Sequence, residues 1–200
     1  MPQEISRRWW SDIEDGIQMP PVMVFLTQKA YVKINLHAGS DLDNEVGGWM
    51  LGRWHTDPET EQKFILVEAT LPATNTLHGS AFLTFTQDSQ LAMYDEMEER
   101  YPDSEPVGWY HTHPRMGVFL SKYDVFLHNH FFPNPWQVAL VIEPHSRSAG
   151  FFIPKADGVL DPRYYYGFSE IHNGTERSVV HWQNVYTDPE PTIKEEEYES

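Results

Sequence analysis

Two histidines, a serine and an aspartate are spaced in one stretch of this sequence in a way that suits metal-dependent hydrolysis. His111 and His113 are separated by one residue, and Ser121 and Asp124 follow after a short connection. Zinc binds histidine nitrogen and carboxylate oxygen, and a catalytic zinc commonly keeps three protein ligands and one water. His111, His113 and Asp124 would supply such a set for one Zn2+ per chain.

The two histidines must lie on one face of an extended segment to reach the same ion. Residues two apart on a β-strand point to the same side of the sheet. The apolar residues 107–110 directly before His111 are typical of a strand, and Pro114 would end it. The sequence therefore predicts a strand that presents both imidazoles together.

Ser121 and Asp124 have a second interpretation that needs no metal. A serine followed three residues later by an acid, and then by apolar Val125, Phe126 and Leu127, is typical of a capping box at a helix start. This alternative stays open, although it leaves the two histidines unexplained.

The string GWYHTHPRMGVFLSKYD resembles the signature of the JAMM (MPN+) metalloproteases, which is H-x-H, seven residues, and S-x-x-D, with a glutamate upstream. Glu45, just before the glycine-rich segment 46–52, takes the position of that glutamate. The similarity extends over about residues 22–154. It implies an α/β (α+β) fold of the JAMM/MPN type, a curved mixed β-sheet flanked by helices that is cytidine-deaminase-like.

The resemblance also implies an activity. Family members are zinc isopeptidases or peptidases that cleave after the C-terminal tail of ubiquitin or a ubiquitin-like protein, from a lysine conjugate or a precursor extension. It implies that zinc-bound water attacks the amide with Glu45 as general base and with Ser121 as hydrogen-bond donor to the oxyanion. Segments 70–79 and 144–166 fall where family insertions grip an extended tail.

Other functions are compatible with the same residues. One alternative is a non-catalytic scaffold of the MPN type, and another is a metal-dependent amidase or peptidase that acts on a sulfur-carrier protein or a small substrate. The compact chain favours a bacterial setting, where activating and conjugating enzymes accompany the ubiquitin-like protein.

Composition limits the remaining function classes. The chain has 200 residues and a formal net charge of −16, and its 14 lysines and arginines are scattered, which argues against a nucleic-acid partner. It contains no cysteine, so thiol catalysis and disulfides are excluded. No apolar stretch suits a membrane span or a signal sequence, and we expect a cytoplasmic protein without a membrane partner.

The hydrophobic pattern predicts one domain at 22–186, with an N-terminal extension at 1–21 and an acidic disordered tail at 187–200. One predicted helix, 87–100, would use Leu91, Tyr94, Met97 and Tyr101 as its apolar stripe. The other predicted elements are a helix at 27–38 capped by Thr27, a helix after Ser121, and strands at 22–26, 45–54, 63–69, 80–85, 136–142, 150–153, 164–168 and 178–186.

Overall fold

A computed structural model describes residues 2, 5–15, 19–73, 77–79, 82–84, 87–172, 174 and 177–187. Nearly all of the predicted acidic tail lies outside the described residues. The described elements, in chain order, are β1 Ser6–Ser11, β2 Val22–Thr27, α1 Gln28–Ala38, β3 Gly47–Thr56, β4 Lys63–Pro72, β5 Leu77–Gly79, β6 Phe82–Thr84, α2 Gln87–Arg100, β7 Glu105–Thr112, α3 Lys122–Phe131, β8 Val138–Glu143, β9 Ser148–Phe152, β10 Phe168–Ile171 and β11 Val185–Tyr186.

Nine of the described strands form one mixed sheet in the order β11-β1-β10-β2-β4-β3-β7-β8-β9. The sheet curves until its two ends nearly meet. Asn184, next to β11, exchanges two hydrogen bonds with the backbone of Ala149 in β9, at 2.9 and 3.0 Å. The fold is therefore mixed α and β with a curved, nearly closed sheet, as the sequence predicted.

Both faces of the sheet are buried, by different helices. Helix α1 covers one face, where Val138 and Leu140 of β8 lie in the same core as Ile34. Helices α2 and α3 cover the other face, where Ala139 and Val141 of β8 point. A strand buried on both sides has no polar face, which explains why β8 is a continuous apolar run in the sequence.

Helix α1 matches its prediction, and Thr27 caps it by accepting a hydrogen bond from the Ala30 amide at 3.3 Å. Helix α2 has the predicted bounds, and Met97 and Tyr101 pack against the core as predicted, but the predicted positions Leu91 and Tyr94 were wrong. Leu91 and Tyr94 are 57% and 46% exposed, whereas Met93 is buried. Met93 and Met97 face the core together because they are four residues apart, and periodicity alone could not choose between two overlapping stripes.

The C-terminal strands and the hairpin differ in detail from the sequence prediction. Residues 80, 81 and 85 of the predicted strand 80–85 lie outside the described residues, and its described part is β6, which pairs with β5 in a separate two-stranded sheet. Strand β10 begins at the end of the predicted strand 164–168. Strand β1, from the predicted N-terminal extension, pairs with both β10 and β11 inside the main sheet. Among the described residues, every helix is too short or too polar to cross a membrane.

A buried carboxylate joins β1, α1 and β10. Glu170 is fully buried and accepts hydrogen bonds from Trp9 Nε1, Gln28 Nε2, Ser178 Oγ and the Val179 amide, at 2.6 to 3.1 Å. Burial raises the pKa of Glu170, but these hydrogen bonds outweigh burial and hold that pKa below its usual value. The charged form is therefore the one that the fold stabilises.

We expect Glu170→Gln to lower the free energy of unfolding by about 2 kcal/mol, because one carboxylate oxygen becomes an amide nitrogen that cannot accept hydrogen bonds. Urea unfolding at several pH values would measure the loss. Since the folded pKa is lowered, the difference from wild type is complete above the ordinary glutamate pKa of about 4.3 and shrinks as the pH falls through the folded pKa.

The matched control is Glu68→Gln, which removes the charge of an exposed ion pair between Glu68 and Arg53. That substitution should cost less than about 0.5 kcal/mol. Equal losses from the two substitutions would contradict the role assigned to Glu170.

Candidate metal centre

The two histidines lie at the carboxyl end of β7, which is the third strand from the β9 edge of the sheet. His111 pairs with Gly47 of β3 on one side and with Val141 of β8 on the other. The His113 amide continues the ladder by donating to the Ile142 carbonyl at 2.8 Å. Both imidazoles point to the face that α3 covers, and both are buried, so neighbouring strands fix their positions.

Helix α3 brings Asp124 to the same place through its first turn. Ser121 Oγ accepts from the Asp124 amide at 3.1 Å, and the Ser121 amide donates to Asp124 Oδ2 at 2.6 Å. This reciprocal pair is the capping box predicted from the sequence. The cap fixes the Asp124 carboxylate, so the capping and the metal-ligand interpretations are compatible.

The ligand atoms converge at distances that fit one ion. The Nε2 atoms of His111 and His113 are 3.0 Å apart, and each is 3.4 Å from an Asp124 oxygen. Ligands about 2.0 to 2.1 Å from a tetrahedral zinc lie about 3.3 Å from one another. The three residues form the one group of this kind among the described residues, and they can hold a metal ion.

The charges of the ligands also suit a divalent cation. Burial lowers the pKa of His111, which keeps its imidazole neutral and able to donate a lone pair. Burial raises the pKa of Asp124, but the two histidines and Ser121 outweigh burial and keep that pKa below its usual value. A buried carboxylate beside the neutral imidazole of His111 is a favourable set for a dication.

Glu45 lies beside this group on the segment before β3. Its Oε1 is 3.8 Å from His113 Nε2, and its buried Oε2 has no hydrogen-bond partner among the described residues. Burial raises the pKa of Glu45 to about 7, with a smaller opposing effect of His113. Val46 and Thr112 hold the segment against β7 through two 2.9 Å hydrogen bonds.

A second layer of side chains, which the sequence analysis missed, lies behind the ligands. Trp109 is buried and parallel to the His111 ring, with ring centroids 4.5 Å apart. It also donates from Nε1 to His128 Nδ1 at 3.1 Å. The available signals were spacings: Trp109 is two residues before His111 on the strand, and His128 is four residues after Asp124 on the helix.

The chain belongs to the JAB1/Mov34/MPN/PAD-1 ubiquitin protease family, whose model matches residues 21–132. It is 28% identical over 139 residues to the ubiquitin carboxyl-terminal hydrolase RPN11 of Saccharomyces cerevisiae, which covers 69% of this chain and 44% of that protein. It is 32% identical over 130 residues to COP9 signalosome complex subunit 5 of Caenorhabditis elegans, covering 60% and 32%.

Two further similarities come from prokaryotes. The chain is 38% identical over 84 residues to the NAD(+) hydrolase TcpA of a Theionarchaea archaeon, which covers 42% of this chain and 24% of that protein. The solution structure of protein DSY2949 from Desulfitobacterium hafniense has a TM-score of 0.55 at 24% identity, covering 74% of this chain and 92% of that one. This chain spans less than half the length of RPN11, of COP9 signalosome complex subunit 5 and of TcpA.

We expect Asp124→Asn to weaken zinc binding by more than about 100-fold, because it removes the negative charge while the amide oxygen can still accept from the Ser121 backbone. Zinc content after gel filtration and competition with a chromogenic chelator would measure the effect. His130→Ala is the control, since this exposed imidazole lies on the same helix outside the ligand group. Unchanged zinc binding by Asp124→Asn would contradict the ligand assignment.

Proposed function

We propose that the chain is a zinc-dependent isopeptidase that cleaves the amide bond after the C-terminal tail of ubiquitin or a ubiquitin-like protein. The observation that carries the proposal is the convergence of His111, His113 and Asp124 beside the buried Glu45. Three protein ligands and an adjacent group for proton transfer are the parts that metal-assisted amide hydrolysis requires.

In this proposal His111, His113 and Asp124 hold one zinc ion. When bound, zinc supplies Lewis acidity and lowers the pKa of water that it coordinates. The orientation of the ligands is supplied by the protein, from a central strand and from a capped helix start. That rigidity supports a preorganised site, because neither the strand nor the cap has to move for the ligands to meet.

Glu45 is the proposed general base. Its carboxylate takes a proton at Oε1 or Oε2 from the attacking water and returns it to the departing amide nitrogen. Two features support this role: Oε2 has no partner among the described residues, and burial raises the pKa of Glu45 to about 7. A carboxyl group with a pKa near neutral can both accept and release a proton at neutral pH. A cation bound nearby would lower the pKa of Glu45 again.

Ser121 is the proposed donor to the oxyanion. Its Oγ already accepts the hydrogen bond from the Asp124 amide, which uses a lone pair and leaves the hydroxyl hydrogen for another acceptor. A donor fixed by a helix cap needs no reorganisation when negative charge develops on the carbonyl oxygen.

The substrate class is proposed from the family and from the site together. Two curated relatives are named ubiquitin carboxyl-terminal hydrolase and COP9 signalosome complex subunit 5. The archaeal relative is named an NAD(+) hydrolase, and we do not propose that activity for this chain. The β5 and β6 hairpin begins within segment 70–79, where a substrate tail would be gripped. We further propose a cytoplasmic setting with associated activating and conjugating enzymes.

We expect Glu45→Gln to lower kcat for hydrolysis of ubiquitin carrying a C-terminal amide-linked fluorophore by about 100- to 10,000-fold. The reason is that the glutamine side chain cannot accept the proton of the attacking water. The zinc content should remain at one ion per chain, since Glu45 lies outside the ligand group. A panel of ubiquitin-like proteins with the same fluorophore would identify the preferred substrate. A Glu45→Gln protein that cleaved normally would remove the proposed base.

We expect Ser121→Ala to lower both stability and activity, and the two losses can be separated. Loss of the N-cap should cost about 1 kcal/mol of unfolding free energy. The matched control is Thr27→Ala, which removes the cap of α1. Both variants should lose similar stability, but only Ser121→Ala should lose kcat, by about 100-fold. Equal kcat values in the two variants would reduce Ser121 to a capping residue.

A further inference from the structure

Two aromatic side chains, Trp109 and Phe132, lie behind the candidate metal centre, and Trp109 is stacked on His111. The Trp109 ring is nearly parallel to His111, at an interplanar angle of 9° and a centroid distance of 4.5 Å. Phe132, just after α3, is also nearly parallel to the indole, at 11° and 6.0 Å. The side chains of His111, Trp109 and Phe132 are almost completely buried, so Trp109 packs against both the imidazole of a candidate ligand and the end of α3.

A hydrogen bond fixes the indole within this stack. Trp109 Nε1 donates to His128 Nδ1 at 3.1 Å. Since an indole nitrogen can only donate, His128 must accept at Nδ1 and carry its proton on Nε2. Burial lowers the pKa of His128 to about 4, which favours this neutral form near pH 7. Rotation of the indole would break the bond and leave two buried polar groups unpaired.

The stack takes the place of a hydrogen bond that metal-binding histidines usually make and that His111 does not make within the described part of the chain. A histidine ligand commonly donates from its second ring nitrogen to a carboxylate or a carbonyl, which fixes the plane of the ring. In the described part of the chain, the buried Nδ1 atoms of His111 and His113 have no hydrogen-bond partner. With no hydrogen bond at Nδ1, packing contributes to the orientation of the His111 ring, and Trp109 is the aromatic ring that lies parallel to it.

We propose that Trp109 and His128 are positioning residues that fix the plane of the His111 imidazole for metal binding. The inference rests on the proposed metal site, but it does not depend on the proposed substrate. Trp109 supplies a flat surface against the imidazole, and His128 prevents the indole from turning.

The same two elements that deliver the ligands deliver this support. Trp109 precedes His111 by two residues on β7, so both side chains point toward α3. His128 follows Asp124 by four residues on α3, so both point toward β7. Strand and helix therefore meet twice, first in the pairing of His111 with Asp124 and then in the pairing of Trp109 with His128.

The test measures zinc affinity in the full chain by competition with a chelator, together with the visible spectrum of the Co2+ form. We expect Trp109→Leu to weaken zinc binding by about 10- to 100-fold and to shift the Co2+ bands, because the flat surface is lost. Trp109→Phe keeps a planar ring but loses the hydrogen bond to His128, so it should weaken binding by only about 10-fold, as His128→Leu does. His128→Leu should weaken binding by about 10-fold, and His128→Asn, which keeps an acceptor, should restore part of it.

The matched control is Phe168→Leu, a buried aromatic residue that packs in the core on the α1 side. It should lower the urea midpoint of the metal-free protein while leaving zinc affinity and the Co2+ spectrum unchanged. Unchanged zinc affinity in Trp109→Leu, or an equal loss in Phe168→Leu, would overturn the positioning role. A wild-type chain that binds no zinc would overturn this inference with the metal site, whereas one that binds zinc without cleaving ubiquitin would overturn only the proposed substrate.

Discussion

The first turn of α3 packs against the carboxyl end of β7, and the rest of the candidate site depends on this contact. Asp124 is the third residue of the helix and a partner of two imidazoles at the same time. A buried carboxylate is costly unless it is paired, so the helix start and the strand end stabilise each other only in this arrangement. Displacing the cap would move the Asp124 carboxylate away from His111 and His113 and leave these buried groups without their partners.

The strand that carries the histidines is held by its place in the sheet. β7 lies between β3 and β8, and the sheet curves until β9 and the segment before β11 share hydrogen bonds through Asn184. Buried side chains on both faces leave β7 little freedom to shift. The catalytic chemistry that we propose therefore rests on regular elements, and Glu45 is brought in by a segment tied to Thr112.

Two buried acids serve the fold rather than the site, and both involve the N-terminal strand. Glu14 accepts hydrogen bonds from the Ser11 and Gly167 amides and pairs with Arg8, while Glu170 accepts from Trp9. These contacts tie β1 into the sheet beside β10. The acidic residues of this sequence thus have different roles. Burial and hydrogen bonding, rather than residue type, decide the role of each one.

The sequence by itself determined the local parts of this protein: the helix cap at Ser121, the shared face of His111 and His113, the buried strand β8 and the resemblance that points to Glu45. The first three follow from spacing and side-chain chemistry over a few residues, whereas Glu45 follows from the resemblance. Only the tertiary structure decided the face of α2 that is buried, the insertion of β1 between β10 and β11, and the contact of Trp109 with His128. Those features depend on residues far apart in the chain, whose meeting is decided by packing and hydrogen-bond satisfaction across elements, on which local periodicity carries no information.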